Sequence, residues 1–238
     1  QGLLLMIPNM YKIAGEMLPC VINVSARSIA THALSILGDH QDIYAVRPTG
    51  FAIIASSSVK QASDLSIVAS LSTIKASIPF VNFFDGFRTS HEIQKIKILE
   101  KEDIKDLLDY NKIEEFRNKA LSINNKVKGT AMMEDVYFQV AEAKNKDYNS
   151  LPDVVNDYMQ KINSKTKTTY APFEYYGSKA AKKIIIAMGS VCETIKEVID
   201  NEDEALGLIE VHLYRPFSSK YFFDALPNGV EKIAVLDR

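Results

Sequence analysis

The first side chain that could bind a ligand is that of Arg27, which directly follows the apolar run CVINVSA. Such a run is typical of a buried parallel strand, and open α/β sheets bind their ligands at the carboxyl ends of their strands. A guanidinium at that place presents a rigid fork that matches a carboxylate or a phosphate. Two interpretations stay open: a clamp for an anionic substrate, or a structural arginine that pairs with an acid or caps a helix end.

A second group of reactive side chains, Asp39, His40 and Asp42, follows the segment RSIATHALSILG. We predict this segment as a helix because its apolar residues recur every three or four positions and Gly38 stands where helices usually stop. The group could bind a metal or move protons, but no second ligand group stands at a recognised metal spacing. We therefore predict no metal site here, and a loop that organises hydrogen bonds at a helix end.

The segment FFDGFRTSHE contains Asp85, Ser90 and His91, which are the residue types of a nucleophile triad. The GxSxG elbow is absent, so the segment does not predict a hydrolase. Further along, AMGSVCETI is typical of a strand, a tight turn and a helix start that could receive a phosphate. The GxGxxG fingerprint is also absent, and a helix cap at Ser190 is the simpler interpretation.

These candidates are held by two blocks in which apolar strand-like runs alternate with helix-like periods. The alternation predicts an α/β fold with two parallel-sheet three-layer domains joined by a helical segment. The charged stretch from Thr89 to Pro172 predicts amphipathic helices with a solvated surface. The predicted domains are residues 1–125, a helical connector over 126–178, and residues 179–238. The predicted strands are CVINVSA, DIYAV, PFVNFFDG, KKIIIAMGS, LGLIEVHLY and EKIAVLDR, and the predicted helices are RSIATHALSILG, residues 58–76, VCETIKEVID and SSKYFFDAL.

The composition excludes several classes of protein. The 238 residues are 47% hydrophobic and 24% charged with a net charge of -2, which is typical of a soluble globular protein and predicts no nucleic-acid surface. No apolar run reaches the roughly 20 residues of a membrane-spanning helix. Cys20 and Cys192 form no CxxC pair, so we expect a reducing compartment and no zinc or iron–sulfur site. Because the sequence does not begin with methionine, shows no signal peptide and stops as a strand is ending, we expect it to be part of a longer polypeptide.

Seven strings carry a resemblance to a known family: QGLLLMIPNMYKIAGE, VSARSIATHALSILGDHQDIYA, TGFAIIASSSV, FFDGFRTSHEIQKI, MGSVCETI, LYRPF and KIAVLDR. In collinear order over essentially the whole chain, they resemble the pyruvate:ferredoxin (flavodoxin) oxidoreductases. The resemblance implies most of the pyrimidine-binding-type domain of the thiamine-diphosphate fold, truncated at its start. It further implies the start of a transketolase C-terminal-like domain, truncated at its end.

The resemblance implies part of a large, usually homodimeric enzyme of anaerobic metabolism. That family oxidatively decarboxylates pyruvate on thiamine diphosphate, passes electrons through iron–sulfur clusters to ferredoxin or flavodoxin, and delivers the acetyl group to coenzyme A. Its catalytic glutamate would precede Gln1, and its diphosphate, magnesium and cluster motifs would follow Arg238. We therefore expect this chain alone to contain no catalytic residue, to hold none of these cofactors and to be inactive without the remaining domains. The expected compartment is the cytoplasm, or a hydrogenosome-like organelle in an anaerobic protist.

The resemblance also implies roles for four residues. Arg27 matches the arginine that holds the pyruvate carboxylate, and a carboxylate that leaves water does need a paired cation. Ile36 matches an apolar wall beside the substrate, while Asp39 and His40 would support the site from behind. Three alternatives stay open: a pyruvate:NADP oxidoreductase with the same core, a relative that acts on another 2-oxo acid, and a non-catalytic domain that serves assembly.

Overall fold

A computed structural model describes residues 2–121 and 131–237 of the chain. The amino-terminal part contains α1 (Gly2–Leu5), α2 (Ile7–Gly15), β1 (Val21–Ala26), α3 (Gln41–Val46), β2 (Ala52–Ser56), α4 (Val59–Ala76) and β3 (Phe80–Asp85). The middle part contains α5 (Lys101–Leu107), α6 (Tyr110–Leu121), α7 (Glu134–Ala143) and α8 (Asn145–Thr166). The carboxyl-terminal part contains β4 (Phe173–Gly177), β5 (Lys183–Ala187), α9 (Val191–Asn201), β6 (Leu206–Val211), β7 (Leu213–Arg215), α10 (Ser219–Ala225) and β8 (Lys232–Val235).

The first sheet has the strand order β1-β3-β2-β7. Strands β1, β3 and β2 are parallel, and β7 runs antiparallel to β2. The pairing of β1 with β3 continues to their last residues, where Ala26 lies opposite Asp85. The residues that follow these two strands, Arg27 and Gly86, therefore leave the sheet side by side.

Helices cover both faces of this sheet. Successive side chains of a strand point to opposite faces, so each strand packs against helices on both sides. Along β2, Ala52 and Ile54 pack with α4 and α8, whereas Ile53 and Ala55 pack with α1, α2 and α3. All four residues are almost completely buried. The prediction of a three-layer α/β arrangement is thereby confirmed for the first sheet.

The second sheet has the strand order β4-β6-β5-β8 and is also mostly parallel. On one face Leu208 packs with Cys192 of α9, and on the other Ile209 packs with Phe222 of α10. This sheet therefore also lies between helices, and the α/β prediction holds for both halves of the chain.

The chain crosses from the second sheet into the first at His212. The predicted single strand LGLIEVHLY is in fact two strands, β6 in the second sheet and β7 in the first, and His212 lies between them. His212 is fully buried, and its carbonyl oxygen accepts a hydrogen bond of 2.8 Å from the backbone N–H of Ala55. The chain thus passes directly from one sheet into the other.

Two predicted elements are wrong. The segment RSIATHALSILG is an irregular loop between β1 and α3, and DIYAV is the greater part of helix α3 instead of a strand. The loop is closed by an antiparallel bridge between Arg27 and Gly38, and the hydroxyl of Ser28 donates to the carbonyl of Ser35. Side-chain bonds of this kind compete with helix formation, and a short apolar run such as DIYAV does not distinguish strand from helix.

Apart from LGLIEVHLY, which is divided between two sheets, the other predicted elements agree with the structure. The predicted strands CVINVSA and PFVNFFDG contain β1 and β3, and the predicted helix over residues 58–76 is α4, capped by the hydroxyl of Ser58. Part of the predicted connector, residues 126–130, lies outside the described residues. Helix α8 packs on α4 in the core of the first sheet, and the division into three segments stays a prediction.

Candidate functional site

The candidate site lies at the carboxyl ends of β1 and β3, where the sequence places Arg27. The backbone N–H of Arg27 donates to the Asp42 carboxylate at 3.0 Å, and the Nη2 group donates to the carbonyl oxygen of Ile36 at 3.2 Å. The Nε atom is buried and has no hydrogen-bond partner among the described residues. Among the described residues, no carboxylate forms an ion pair with the Arg27 guanidinium. Arg27 therefore offers an anion a charge that these residues leave unneutralised.

Ile36 lies in the loop that Arg27 closes, and its side chain is 61% exposed. Leu34 and Leu37 of the same loop are exposed to a similar extent. The loop is fixed at its base because Gln41 accepts a hydrogen bond of 2.8 Å from the backbone N–H of Ile29. Three large apolar side chains are thus held in an ordered loop beside the guanidinium, on a surface that this chain does not cover.

Asp39 and His40 do not share one environment. The Asp39 carboxylate accepts a hydrogen bond of 3.0 Å from the backbone N–H of Gln41, which begins α3. His40 is 1% exposed, and its Nε2 atom donates to Asp85 at 2.5 Å. The Nδ1 atom of His40 is buried without a hydrogen-bond partner among the described residues. Asp39 therefore shapes the chain locally, whereas His40 contacts the end of the neighbouring strand β3.

Asp85 connects the two halves of the molecule. One carboxylate oxygen accepts from His40, and the other accepts from the backbone N–H of Ser190 at 2.6 Å and from the Ser190 hydroxyl. Burial by itself would raise the pKa of Asp85, but the hydrogen bonds from His40 and Ser190 lower this pKa to about 2. Asp85 is completely buried and remains ionised at neutral pH.

The Asp85 carboxylate occupies the position at the start of α9 for which the sequence suggested a phosphate or a serine cap. The hydroxyl of Ser190 makes no capping bond to its own helix, so the predicted serine cap is wrong. A carboxylate from the first sheet lies at the helix amino terminus instead, where negative charge is favourable. Gly189 has a φ of +78°, and a Cβ atom there would lie 3.0 Å from both Asp85 and His40. The turn can approach this buried pair because it has no side chain at that residue.

The nucleophile triad suggested by residue types does not form. Ser90 and His91 are exposed and contact each other at 2.9 Å, while Asp85 pairs with His40. In the cluster of Asp85, His40 and Ser190, the carboxylate lies between the other two groups. In such a triad, activation of the serine requires that its hydroxyl donate to the imidazole base. The hydroxyl of Ser190 donates to a carboxylate instead.

Sequence reasoning missed a second buried polar group, which lies around His212. The Nδ1 atom of His212 is 3.1 Å from the carbonyl oxygen of Ala55, and the Nε2 atom is 3.3 Å from the Glu174 carboxylate. Burial by itself would lower the pKa of His212, but the negative charges of Glu210 and Glu174 raise it. A signal was present, because Glu210 and His212 interrupt the apolar run LGLIEVHLY two residues apart, a spacing that places both side chains on one face of the predicted strand.

The charge of Glu210 is balanced by Lys196 of α9. The Nζ atom of Lys196 lies 2.7 Å from Glu210 and 2.9 Å from Glu193, and Glu193 accepts a hydrogen bond of 3.0 Å from the Ser57 hydroxyl. Burial by itself would lower the pKa of Lys196, but the neighbouring carboxylates raise it. Since Ser57 follows β2 of the first sheet, this network is a second polar connection between the sheets.

A cleft of about 440 Å³ lies between the strand ends of the two sheets, with residues of the turn after β3 and of α9 in its walls. Within the described ranges, no group of three or more His, Cys, Asp and Glu side chains is placed to hold a metal ion. Over the same ranges, no helix combines the length and the apolar character needed to cross a lipid bilayer.

Two family models match the chain. The model described as "Pyruvate flavodoxin/ferredoxin oxidoreductase, thiamine diP-bdg" matches residues 1–160, and "Pyruvate:ferredoxin oxidoreductase core domain II" matches residues 181–238. The first match covers more than half of the chain and describes a domain that binds thiamine diphosphate.

Curated relatives match over the entire chain. The sequence is 57% identical to a pyruvate-flavodoxin oxidoreductase of Enterobacter agglomerans and 51% identical to a pyruvate:ferredoxin oxidoreductase of Moorella thermoacetica. It is 49% identical to an NADP(+) pyruvate dehydrogenase of Cryptosporidium parvum. The chain spans 21% of the length of the first two proteins and 13% of the third.

A solved structure shares the fold. This is a 2-oxoglutarate:ferredoxin oxidoreductase from Magnetococcus marinus with 2-oxoglutarate, coenzyme A and succinyl-CoA bound. The TM-score is 0.64 at 15% sequence identity, over 98% of this chain and 44% of the other. The similarity supports the two-sheet arrangement, and the family matches and the identities to curated relatives establish that this chain belongs to the pyruvate flavodoxin/ferredoxin oxidoreductase family.

Proposed function

We propose that this chain forms part of a thiamine-diphosphate-dependent enzyme that oxidatively decarboxylates pyruvate to acetyl-CoA and CO2. Its electrons pass through iron–sulfur clusters to ferredoxin or flavodoxin. In this proposal Arg27 binds the pyruvate carboxylate. The observation that supports it is the guanidinium at the carboxyl end of β1, which has no carboxylate partner among the described residues.

The surroundings of Arg27 suit a substrate with one acid group and a small apolar part. The guanidinium binds the carboxylate and thereby orients the neighbouring keto carbon, which is the role of a substrate-positioning contact. The exposed side chains of Leu34, Ile36 and Leu37 form an apolar wall that excludes water once other domains cover the loop. Asp39 and His40 support this wall indirectly, through α3 and through Asp85.

Thiamine diphosphate, when bound, supplies the electron sink that decarboxylation of a 2-oxo acid requires. The described residues fit the substrate carboxylate, but they offer no group that could hold the magnesium ion of the diphosphate. In our proposal the diphosphate, magnesium and iron–sulfur clusters are bound by other domains of the full-length polypeptide. The protein is proposed to be a cytoplasmic homodimer that also binds coenzyme A.

The test uses the full-length protein, purified without oxygen. We expect reduction of a viologen dye that depends on both pyruvate and coenzyme A, and that is slower with 2-oxoglutarate in place of pyruvate. Ferredoxin, flavodoxin and NADP(+) are then compared as acceptors, since one relative is an NADP(+) pyruvate dehydrogenase. A protein that reduces no acceptor with any 2-oxo acid would contradict the proposal and favour a non-catalytic assembly domain.

A further inference from the structure

Gly86 follows β3, and its backbone N–H donates to the carbonyl oxygen of Ala26 at 2.9 Å. Glycine in a turn is usually explained by a left-handed backbone conformation. In this turn, however, the residue with a positive φ is Phe87, at +68°, whereas Gly86 lies outside the left-handed region. The backbone conformation therefore does not explain why residue 86 is a glycine.

The space around Gly86 does explain it. A Cβ atom at this position would lie far inside the 3.0 Å that real Cβ atoms keep, against Cδ of Arg27. It would also lie 2.6 Å from the carbonyl oxygen of Ala26 and 3.0 Å from the hydroxyl of Ser25. These neighbours are Ser25 and Ala26 at the end of β1 and Arg27 directly after it, so the Arg27 side chain runs over the bare backbone of residue 86.

We propose that Gly86 is a positioning residue for Arg27. Its missing side chain leaves the space that the Arg27 side chain occupies as it extends to the loop and donates to the carbonyl oxygen of Ile36. A methyl group at residue 86 displaces the aliphatic part of Arg27 and with it the guanidinium. Because this inference rests on the proposed role of Arg27, its test separates the two.

The test is a double-mutant cycle in the full-length enzyme, with Gly86→Ala, Arg27→Ala and the double variant. A misplacement of about 1 Å at a substrate contact can cost about 100-fold in rate. We expect Gly86→Ala to lower kcat/KM for pyruvate at least about tenfold when Arg27 is present, and less than about threefold when Arg27 is Ala, because neighbours act non-additively. A merely structural role would give equal losses in both backgrounds.

Two other glycines provide matched controls. Gly15→Ala makes the same chemical change where nothing lies within 4 Å, and we expect it to leave the kinetics unchanged. Gly207→Ala places a methyl group against the Tyr175 side chain in the second sheet. We expect it to lower the unfolding temperature without any coupling to Arg27.

Thermal unfolding of the same variants covers the case in which Gly86→Ala folds poorly. If the collision with Arg27 is the cause, the double variant regains part of the lost unfolding temperature. A double variant as unstable as Gly86→Ala, or additive kinetic losses, overturns the inference about Gly86 alone. Normal pyruvate kinetics in Arg27→Ala would remove the proposed role of Arg27 as well.

Discussion

Replacing Asp85 by asparagine should weaken the attachment of α9 to the first sheet. The asparagine side chain keeps nearly the same shape but has one carbonyl oxygen and an NH2 group that donates. It cannot accept hydrogen bonds from His40 and from both donors of Ser190, as the carboxylate does. At least one buried donor is then left without its partner, and the charge at the helix start is lost.

The magnitude follows from the pKa of Asp85. These contacts hold the pKa at about 2 instead of the ordinary 3.8, and each pKa unit corresponds to about 1.36 kcal/mol. The ionised form is therefore stabilised by about 2 kcal/mol relative to an exposed aspartate. The folded-state pKa is lowered, so this contribution is present above about pH 4 and is lost as the pH falls towards 2.

The assay is hydrogen–deuterium exchange of the full-length protein, read over residues 189–195. Because only the bonds from Ser190 reach α9, local opening of the α9 start should become easier by at most about 2 kcal/mol, which is up to about 30-fold faster exchange. Asp157→Asn is the matched control, because Asp157 pairs with Lys161 on the surface of α8. Unchanged exchange over residues 189–195, or an equal change in the control, would refute the reasoning.

Three further variants test other parts of the description. Arg27→Leu removes a charge-assisted contact worth about 1.5 to 3 kcal/mol, so kcat/KM for pyruvate should fall about 10- to 100-fold without unfolding the domain; steady-state kinetics equal to wild type would exclude the assignment. His212→Gln should lower the unfolding temperature most at pH 5–6 and least at pH 9. Burial by itself lowers the pKa of His212, but its acidic neighbours, led by Glu210, raise it. The protonated histidine therefore stabilises the fold at low pH, and this stabilisation is lost as the pH rises through the folded-state pKa. Cys20→Ala and Cys192→Ala together should leave the iron content per subunit unchanged, and a loss of iron would make one of them a cluster ligand.

Most of the fold could be predicted because its strands are apolar runs that differ from their surroundings. The run CVINVSA contains β1 and places Arg27 at the carboxyl end of a parallel strand, as expected. The period of three to four residues in α4 is equally clear, and Ser58 caps the helix where the apolar stripe begins. These features are local, so the sequence alone contains them.

The errors arise where distant groups decide the local structure. The segment after Arg27 has the periodicity of a helix, but side chains of Gln41 and Asp42 bind its backbone and hold it as a loop. The run AIIAS is β2, buried on both faces, and was not among the predicted strands. Helix α3 was predicted as a strand in its place, because two apolar runs lie close together here.

The candidate site was only partly predictable for the same reason. Asp85 lies 45 residues from His40 and 105 residues from Ser190, and no spacing rule joins them. The importance of Gly86 is hidden more deeply, because Asp-Gly suggests a turn glycine, while the left-handed residue is Phe87. The Arg27 side chain, together with the carbonyl oxygen of Ala26 and the hydroxyl of Ser25, explains why residue 86 has no Cβ atom.

The passage of the chain at His212 bears on how the protein is made. Strand β2 obtains its outer neighbour from β7, which lies about 160 residues later in the chain. While the ribosome is still synthesising the middle helices, β2 is an edge strand of the first sheet that is unpaired on its outer side. The unpaired backbone groups of an edge strand can pair with other polypeptides. Completion of the first sheet therefore waits until residues 213–215 have left the exit tunnel.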